Sequence, residues 1–226
     1  MIFLQPDDIT AIRLSLMVAA AATCIALPAG FAAAYLLTFS NMRCKTIFEG
    51  IINLPLVLPP VVVGYLLLLL MGKNGPIGAL LHHFGIPVIF TLKGAVIASA
   101  IVGFPLLVRS IRTGMENIDK KLIHAARTLG AGWWDTLISI TLPLSYKAVL
   151  AGMTLMFARS LGEFGATIIL AGNIPGVTQT IPLAIYQYTS TPGGDSMALA
   201  LCVVSIGLSF VVLLLSEAVN RKITRS

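Results

Sequence analysis

The sequence predicts an all-α, polytopic helical membrane protein with about five transmembrane helices. Three observations carry that reading. Hydrophobic residues make up 57% of the 226, and charged residues only 11%, against about 25% in a typical soluble domain. The apolar residues come in long unbroken blocks, which suits spanning helices and not the alternating strands of a membrane barrel. One loop between two such blocks is long and carries an amphipathic pattern of its own. A soluble enzyme, a disordered chain and a disulfide scaffold are excluded on these grounds.

The charges punctuate the chain and define the spans. No residue between Arg13 and Arg43 is charged, and none between Glu49 and Lys73. A third run, bracketed by Lys93 and Arg109, is short, but both flanking side chains can snorkel to the headgroups. Residues 148–171 form a fourth block, interrupted by Arg159 and Glu163, and residues 196–216 form a fifth. The first block reads as a retained helix. Its uncharged run exceeds the roughly 7–15 residues of a signal-peptide core, and no basic residue precedes it in Met1–Asp8. The whole chain, 1–226, is expected to form one transmembrane domain.

Orientation follows from the basic residues. Eleven of the fifteen lysines and arginines fall on one side of this five-span scheme: Arg43, Lys45, six between Arg109 and Lys147, and Arg221, Lys222 and Arg225. Arg13, Lys73 and Lys93 fall on the other, and Arg159 lies within a span. The rich side is expected to be cytoplasmic, with the N-terminus outside and the C-terminus inside. Basic loops on one membrane face account for the net charge of +6 without nucleic acid.

No metal or disulfide chemistry is expected. Cys24, Cys44 and Cys202 lie far apart and read as small apolar fillers. His82 and His83 are adjacent, which suits a loop better than a helical metal face. No phosphate-binding GxxxxGK[ST] loop occurs, so the chain itself should hold no ATP and no other cofactor.

The long loop, about 113–147, is where the sequence says most. Asp119 is a good N-cap for a helix starting at Lys120. Leu122, Ile123, Ala126 and Leu129 give an apolar stripe, and Gly130 stands where a left-handed C-cap would close the helix. A second amphipathic stretch, WWDTLISITL, should end at Pro143. Periodicity alone fits an interfacial hairpin packed on its own bundle. Ala125, Ala126 and Gly130 also leave one part nearly without side chains, where a second backbone can approach.

The run HAARTLGAGWWDTLISITLP resembles the cytoplasmic signature of bacterial ATP-binding-cassette importer permeases. Ala125, Ala126, Gly130, Ile140, Leu142 and Pro143 fall on that signature, while His124 stands where the family usually has Glu. The stretches 54–72, 104–112, 157–168 and 173–186 resemble molybdate importer permeases, so the likeness covers essentially the whole chain. Some of those carry one more N-terminal span, which is not expected here. The resemblance implies a type I importer fold in the bacterial inner membrane. It makes the loop a coupling helix that docks on a dimer of ATP-binding-cassette ATPases. It also implies a homodimer and a periplasmic oxyanion-binding protein as partner. Molybdate is the expected cargo, with tungstate or sulfate/thiosulfate as alternatives. From another class, an ATPase-independent ion channel or a scaffold remains open. A non-catalytic translocation subunit is expected, with ATP hydrolysed by the separate ATPase: a dianion entering a negative interior works against about 2.3 kcal/mol per charge per 100 mV, and a chain without a phosphate-binding loop cannot supply that energy.

Three further groups have two readings each. Arg159 and Glu163 are four apart and face one another on a helix, as a gate or pathway charge or as a structural brace. Pro55, Pro59 and Pro60 either start the second span or kink it beside the pathway. The loop 172–195, with a short helix begun by Pro182, serves as a lid or as a docking surface for the binding protein. Gly64 reads as a helix-packing notch.

Overall fold

The computed structural model describes residues 5–40 and 43–224. Those residues form helices and connecting loops, with no strand among them. Four helices are long and apolar enough to cross a membrane: Pro6–Phe39 (α1), Leu92–Glu116 (α5), Trp133–Leu161 and the run from Asp195 to Leu215. A bent pair, Lys45–Val57 (α2) and Pro60–Met71 (α3), makes up to five.

The second span departs from expectation. The sequence left the three prolines either to start the second span or to kink it beside the pathway. Instead α2 and α3 meet at 115°. Pro55 lies inside α2, and the break falls on Leu58 and Pro59, both extended, with Pro60 opening α3. A proline drives the residue before it out of the helical region, and Pro60 does this to Pro59 just as Pro59 does to Leu58. Pro60 then has no N–H to leave unpaired in the first turn of α3.

The third span is longer than its charge-free run. α5 continues past Arg109 to Glu116 because Arg112 is neutralised. Its guanidinium contacts Glu49 at 2.6 Å and Glu116 at 2.7 Å. The expected loop therefore starts later, at Asn117. A short helix Pro76–His83 (α4) fills the α3–α5 connection, so His82 and His83 end a helix and do not sit in a loop.

The second amphipathic stretch is not a separate surface helix either. After Lys120–Thr128 (α6), residues Trp133–Thr136 (α7) run through a π-helical turn, Leu137–Thr141, into Leu142–Leu161 (α8). Pro143 does not stop the chain. It lies in the first turn of α8, directly after the π turn whose last bond runs from the Leu142 N–H to the Leu137 carbonyl. The wider ring makes room for a residue that cannot donate.

The fourth block is broken as well. α8 ends at Leu161 and Gly165–Ala171 (α9) begins after Gly162–Phe164. Ile181–Thr189 (α10) and Asp195–Thr224 (α11) complete the fold.

The core is built on α5. Against α8, Gly114 has no room for a Cβ, which would meet the Ala148 Cβ, and the Ser110 hydroxyl donates to the Ala148 carbonyl at 2.9 Å. A Cβ on Gly152 would lie 3.1 Å from the Leu107 carbonyl oxygen, and one on Gly30 of α1 would lie 2.7 Å from the Leu107 side chain. Small residues substitute here for a hydrophobic driving force that lipid does not supply.

Contacts sort the elements into two ends. At one end the α5–α2 ion pair forms and Tyr35 of α1 meets Trp133 edge-on at 5.6 Å. At the other, the Phe90 N–H donates to the Leu170 carbonyl and the Ile181 N–H to Ser15 Oγ. Arg43, Lys45, Lys120, Lys121, Arg127 and Lys147 belong to the first, basic end. Arg225 lies outside the described residues. Cys24 and Cys44 are exposed and fill no core.

Candidate functional site

The coupling-type segment is α6 and its C-cap. Asp119 accepts from the Lys121 N–H at 2.9 Å, capping the helix as its sequence position suggests. At the other end the Ala131 N–H donates to the Ala126 carbonyl and the Gly130 N–H to the Arg127 carbonyl. That double bond pattern is a Schellman cap, and Gly130 supplies it with φ of +89°.

What the helix faces differs from a self-packed hairpin. Ile123 alone of the apolar stripe is buried; Leu129 is 89% exposed and Leu122 49%. His124 and Ala125 are exposed, Ala126 is half-buried, and nothing lies within 4 Å of a Cβ built on Gly130. Trp134 adds a further exposed ring, 67% open. The chain's own bundle thus leaves uncovered an apolar face at the basic end, with a bare patch of Ala and Gly. Ile140, Leu142 and Pro143 are not on this helix. They belong to the π turn and the first turn of α8, where Leu142 and Pro143 are exposed and Ile140 half-buried.

The second site is the break between α8 and α9. Arg159 and Glu163 do pair, at 2.8 Å, but not as neighbours on one helix. Glu163 lies beyond the end of α8. Its Oε1 accepts from the Ala166 N–H at 2.9 Å, so it also caps α9. The carboxylate is fully buried while the Arg159 side chain is 32% exposed. Sequence spacing gave the pairing; the helix end at Gly162 was not read from it.

The two breaks touch. A Cβ on Gly165 would lie 2.9 Å from Pro60 Cβ and 3.0 Å from the Val61 nitrogen. A Cβ on Gly64 would lie 2.8 Å from Ala166 Cα, so Gly64 is the notch it was expected to be. Of the three prolines, Pro60 reaches this contact region, Pro59 lies in the break before it, and Pro55 remains on α2.

The 172–195 segment is not a loose lid. Thr178, Gln179, Thr180, Ile181, Leu183 and Ala184 are buried, and α10 packs between α1 and α11. Phe164, in the α8–α9 break, meets Tyr186 of α10 at 5.2 Å between ring centres. Among the described residues, no group of three or more His, Cys, Asp or Glu is placed to hold a metal ion.

The family model described as binding-protein-dependent transport system inner membrane component matches residues 26–225. The chain belongs to that family. As a binding-protein-dependent transport component, it has relatives along nearly its whole length. The molybdenum transport system permease protein ModB of Haemophilus influenzae is 52% identical over 219 residues, 96% of each chain. That of Escherichia coli K12 is 51% identical over 212, 93% of each. The putative molybdenum transport system permease protein YvgM of Bacillus subtilis is 44% identical over 205 residues, 90% of each. The fold is that of solved importers. A bacterial transporter that imports alginate matches with TM-score 0.76 at 17% identity, covering 99% of this chain and 82% of that one. The MetNI methionine transporter matches at 0.73 and 15%, covering 95% and 94%. This inner-membrane component is therefore an all-helical permease of the type I importer fold.

Proposed function

We propose that the chain is the membrane-spanning permease subunit of an ATP-driven molybdate importer. The observation that carries this reading is identity above 50% to two proteins named as molybdenum transport permeases, along 93% or more of the chain. In this reading two copies form the pathway on a two-fold axis. The exposed face of α6 docks on a cytoplasmic ATPase dimer, which supplies the energy that a chain without a phosphate-binding loop lacks. A periplasmic oxyanion-binding protein delivers cargo at the opposite end. One solved relative of the fold, the alginate transporter, is seen in complex with its periplasmic protein. The basic end is cytoplasmic, with the N-terminus outside and the C-terminus inside.

The test is uptake of labelled molybdate by the complex reconstituted with its ATPase and binding protein, competed with tungstate and sulfate. ATP-dependent uptake displaced by tungstate but not by sulfate fits the reading. Uptake that needs no ATP would make the chain a channel. Uptake displaced equally by sulfate would make it a general oxyanion permease.

A further inference from the structure

Two arginines stand one turn apart near the basic end of α5, and they are used differently. Arg112 is held by two carboxylates, those of Glu49 and Glu116. Arg109 is exposed and has no carboxylate or other side-chain partner among the described residues. It lines an open groove of about 420 Å³ between α5 and α8, together with Thr113, Gly114, Asn117, Ala148 and Ala151. No acidic residue lines that groove. Its shape comes from close packing, since Gly114 and Ala148 leave no side-chain bulk between the helices.

The same face of α8 leads away from the basic end. Ala148, Ala151, Leu155 and Arg159 follow at spacings of three, four and four, so they share one side of the helix. Arg159 lies roughly 16 Å from Ala148 along α8, at 1.5 Å per residue. Its charge is offset by Glu163 at 2.8 Å. An anion moving along this face leaves a neutralised arginine and meets an unpaired one at the basic end.

We propose that Arg109 is a cargo-contacting residue, the group that receives the oxyanion at the basic end of the pathway. The proposal rests on the importer reading above. A planar guanidinium with free donors can hold a tetrahedral oxyanion through two N–H groups, and the exposure of Arg109 keeps that contact reversible. The amide of Asn117 and the hydroxyl of Thr113 border the same space. A phospholipid phosphate offers the same chemistry, so the test separates the two sources.

The reconstituted complex carrying Arg109→Gln is compared with Arg109→Lys and wild type. Vesicles are made of phosphatidylcholine alone or of phosphatidylcholine with phosphatidylglycerol. With Gln, molybdate uptake should fall about tenfold in both lipids, the scale of one lost charge-assisted contact, while subunit association and ATP hydrolysis persist. Lys, which keeps the charge but not the two-pronged fork, should recover only part of the uptake. A loss confined to vesicles with phosphatidylglycerol would assign Arg109 to the headgroup and overturn the proposal, as would unchanged uptake with Gln.

A second readout does not depend on transport. Thr113→Cys is made in a chain whose three native cysteines are serine. An anionic methanethiosulfonate reagent should label it faster than a cationic one, molybdate should slow that labelling, and adding Arg109→Gln should abolish the preference. Equal rates with Arg109 present would overturn the proposal. Failure of wild-type uptake with the labelling preference intact would instead count against the importer reading.

Discussion

Tyr188 and Asp8 stand 180 positions apart and share a hydrogen bond, the phenol donating to Asp8 Oδ1 at 2.9 Å. Asp8 is 2% exposed, and its other oxygen accepts from the Gln5 N–H at 2.7 Å. This bond pins α10 to the first turn of α1, beside the bond from the Ile181 N–H to Ser15 Oγ. Replacing Tyr188 by Phe leaves half of a buried carboxylate without its donor. The expected cost is about 1–3 kcal/mol, read as a lowered midpoint of thermal unfolding in detergent. An unchanged midpoint would show that α10 is held by packing alone.

The same phenol gives a pH dependence. Burial first, then the bond to Asp8 and the charges of Asp8 and Asp7, push the Tyr188 hydroxyl up to about 12 from its ordinary 10. The folded state therefore holds the proton more tightly than the unfolded one. Its contribution is complete below pH 10 and is lost between about 10 and 12. Stability should decline through that window in the wild type, and Tyr188→Phe should remove this part of the decline.

Arg159→Ala leaves Glu163 buried without its cation. The pair is only partly shielded on the Arg side, so a loss of about 1–3 kcal/mol is expected. Arg159→Ala with Glu163→Gln should recover part of the folded yield, because Gln can still accept from the Ala166 N–H. Full yield of Arg159→Ala together with abolished uptake would show a pathway charge in place of a brace.

The coupling face separates fold from docking. Ala126→Trp should leave the chain in the membrane and abolish association with the ATPase. Gly130→Val should do the same at an added strain of about 1–2 kcal/mol, the cost of a left-handed φ for an L-residue. Ser at the exposed Leu122 and Leu129 should also keep the fold and weaken association. Co-purification of the two subunits measures all four, and intact association with Ala126→Trp would reduce α6 to an interfacial helix.

The notch between α3 and α9 should be sharply size-limited. A Cβ on Gly64 meets backbone at 2.8 Å, so Gly64→Ala should cost about 1–3 kcal/mol through overpacking. Gly50→Ala, where nothing lies within 4 Å, should be neutral or gain up to about 1 kcal/mol of helix propensity. Thermal unfolding of the two variants side by side decides it.

Topology is read by labelling. In a cysteine-free chain, Asn74→Cys and Thr128→Cys lie at opposite ends of the bundle. An impermeant thiol reagent on intact cells should reach the first only. Labelling of Thr128→Cys alone would invert the orientation.

Much of the fold was legible because charge and length are strong local signals. The apolar blocks located the spans, and Asp119 and Gly130 marked both caps of α6. What the sequence did not yield depends on partners distant in the chain. Arg109 read as the end of the third span because Glu49, which neutralises Arg112 one turn further on, is 63 positions away from it; Glu116, at i+4 of Arg112, was the available hint. Pro143 looked like a stop because nothing local announces a π turn. The exposure of Leu122 and Leu129 was not legible either, since an amphipathic stripe has the same spacing whether it packs on its own bundle or on another protein.

The π turn sets the angular phase of everything before it. A wide turn holds one residue more than an α-turn, and each residue of an α-helix advances about 100° around the axis. Deleting one residue from Leu137–Thr141 would let the segment close into ordinary helix. Trp133 would then rotate away from Tyr35, and the chain leading to α6 would leave α7 in a different direction. The bundle could survive intact while its docking helix pointed elsewhere. Span four is thus a rod with a built-in azimuth, and single-residue indels within the five residues Leu137–Thr141 act as a rotary dial on the exposed face.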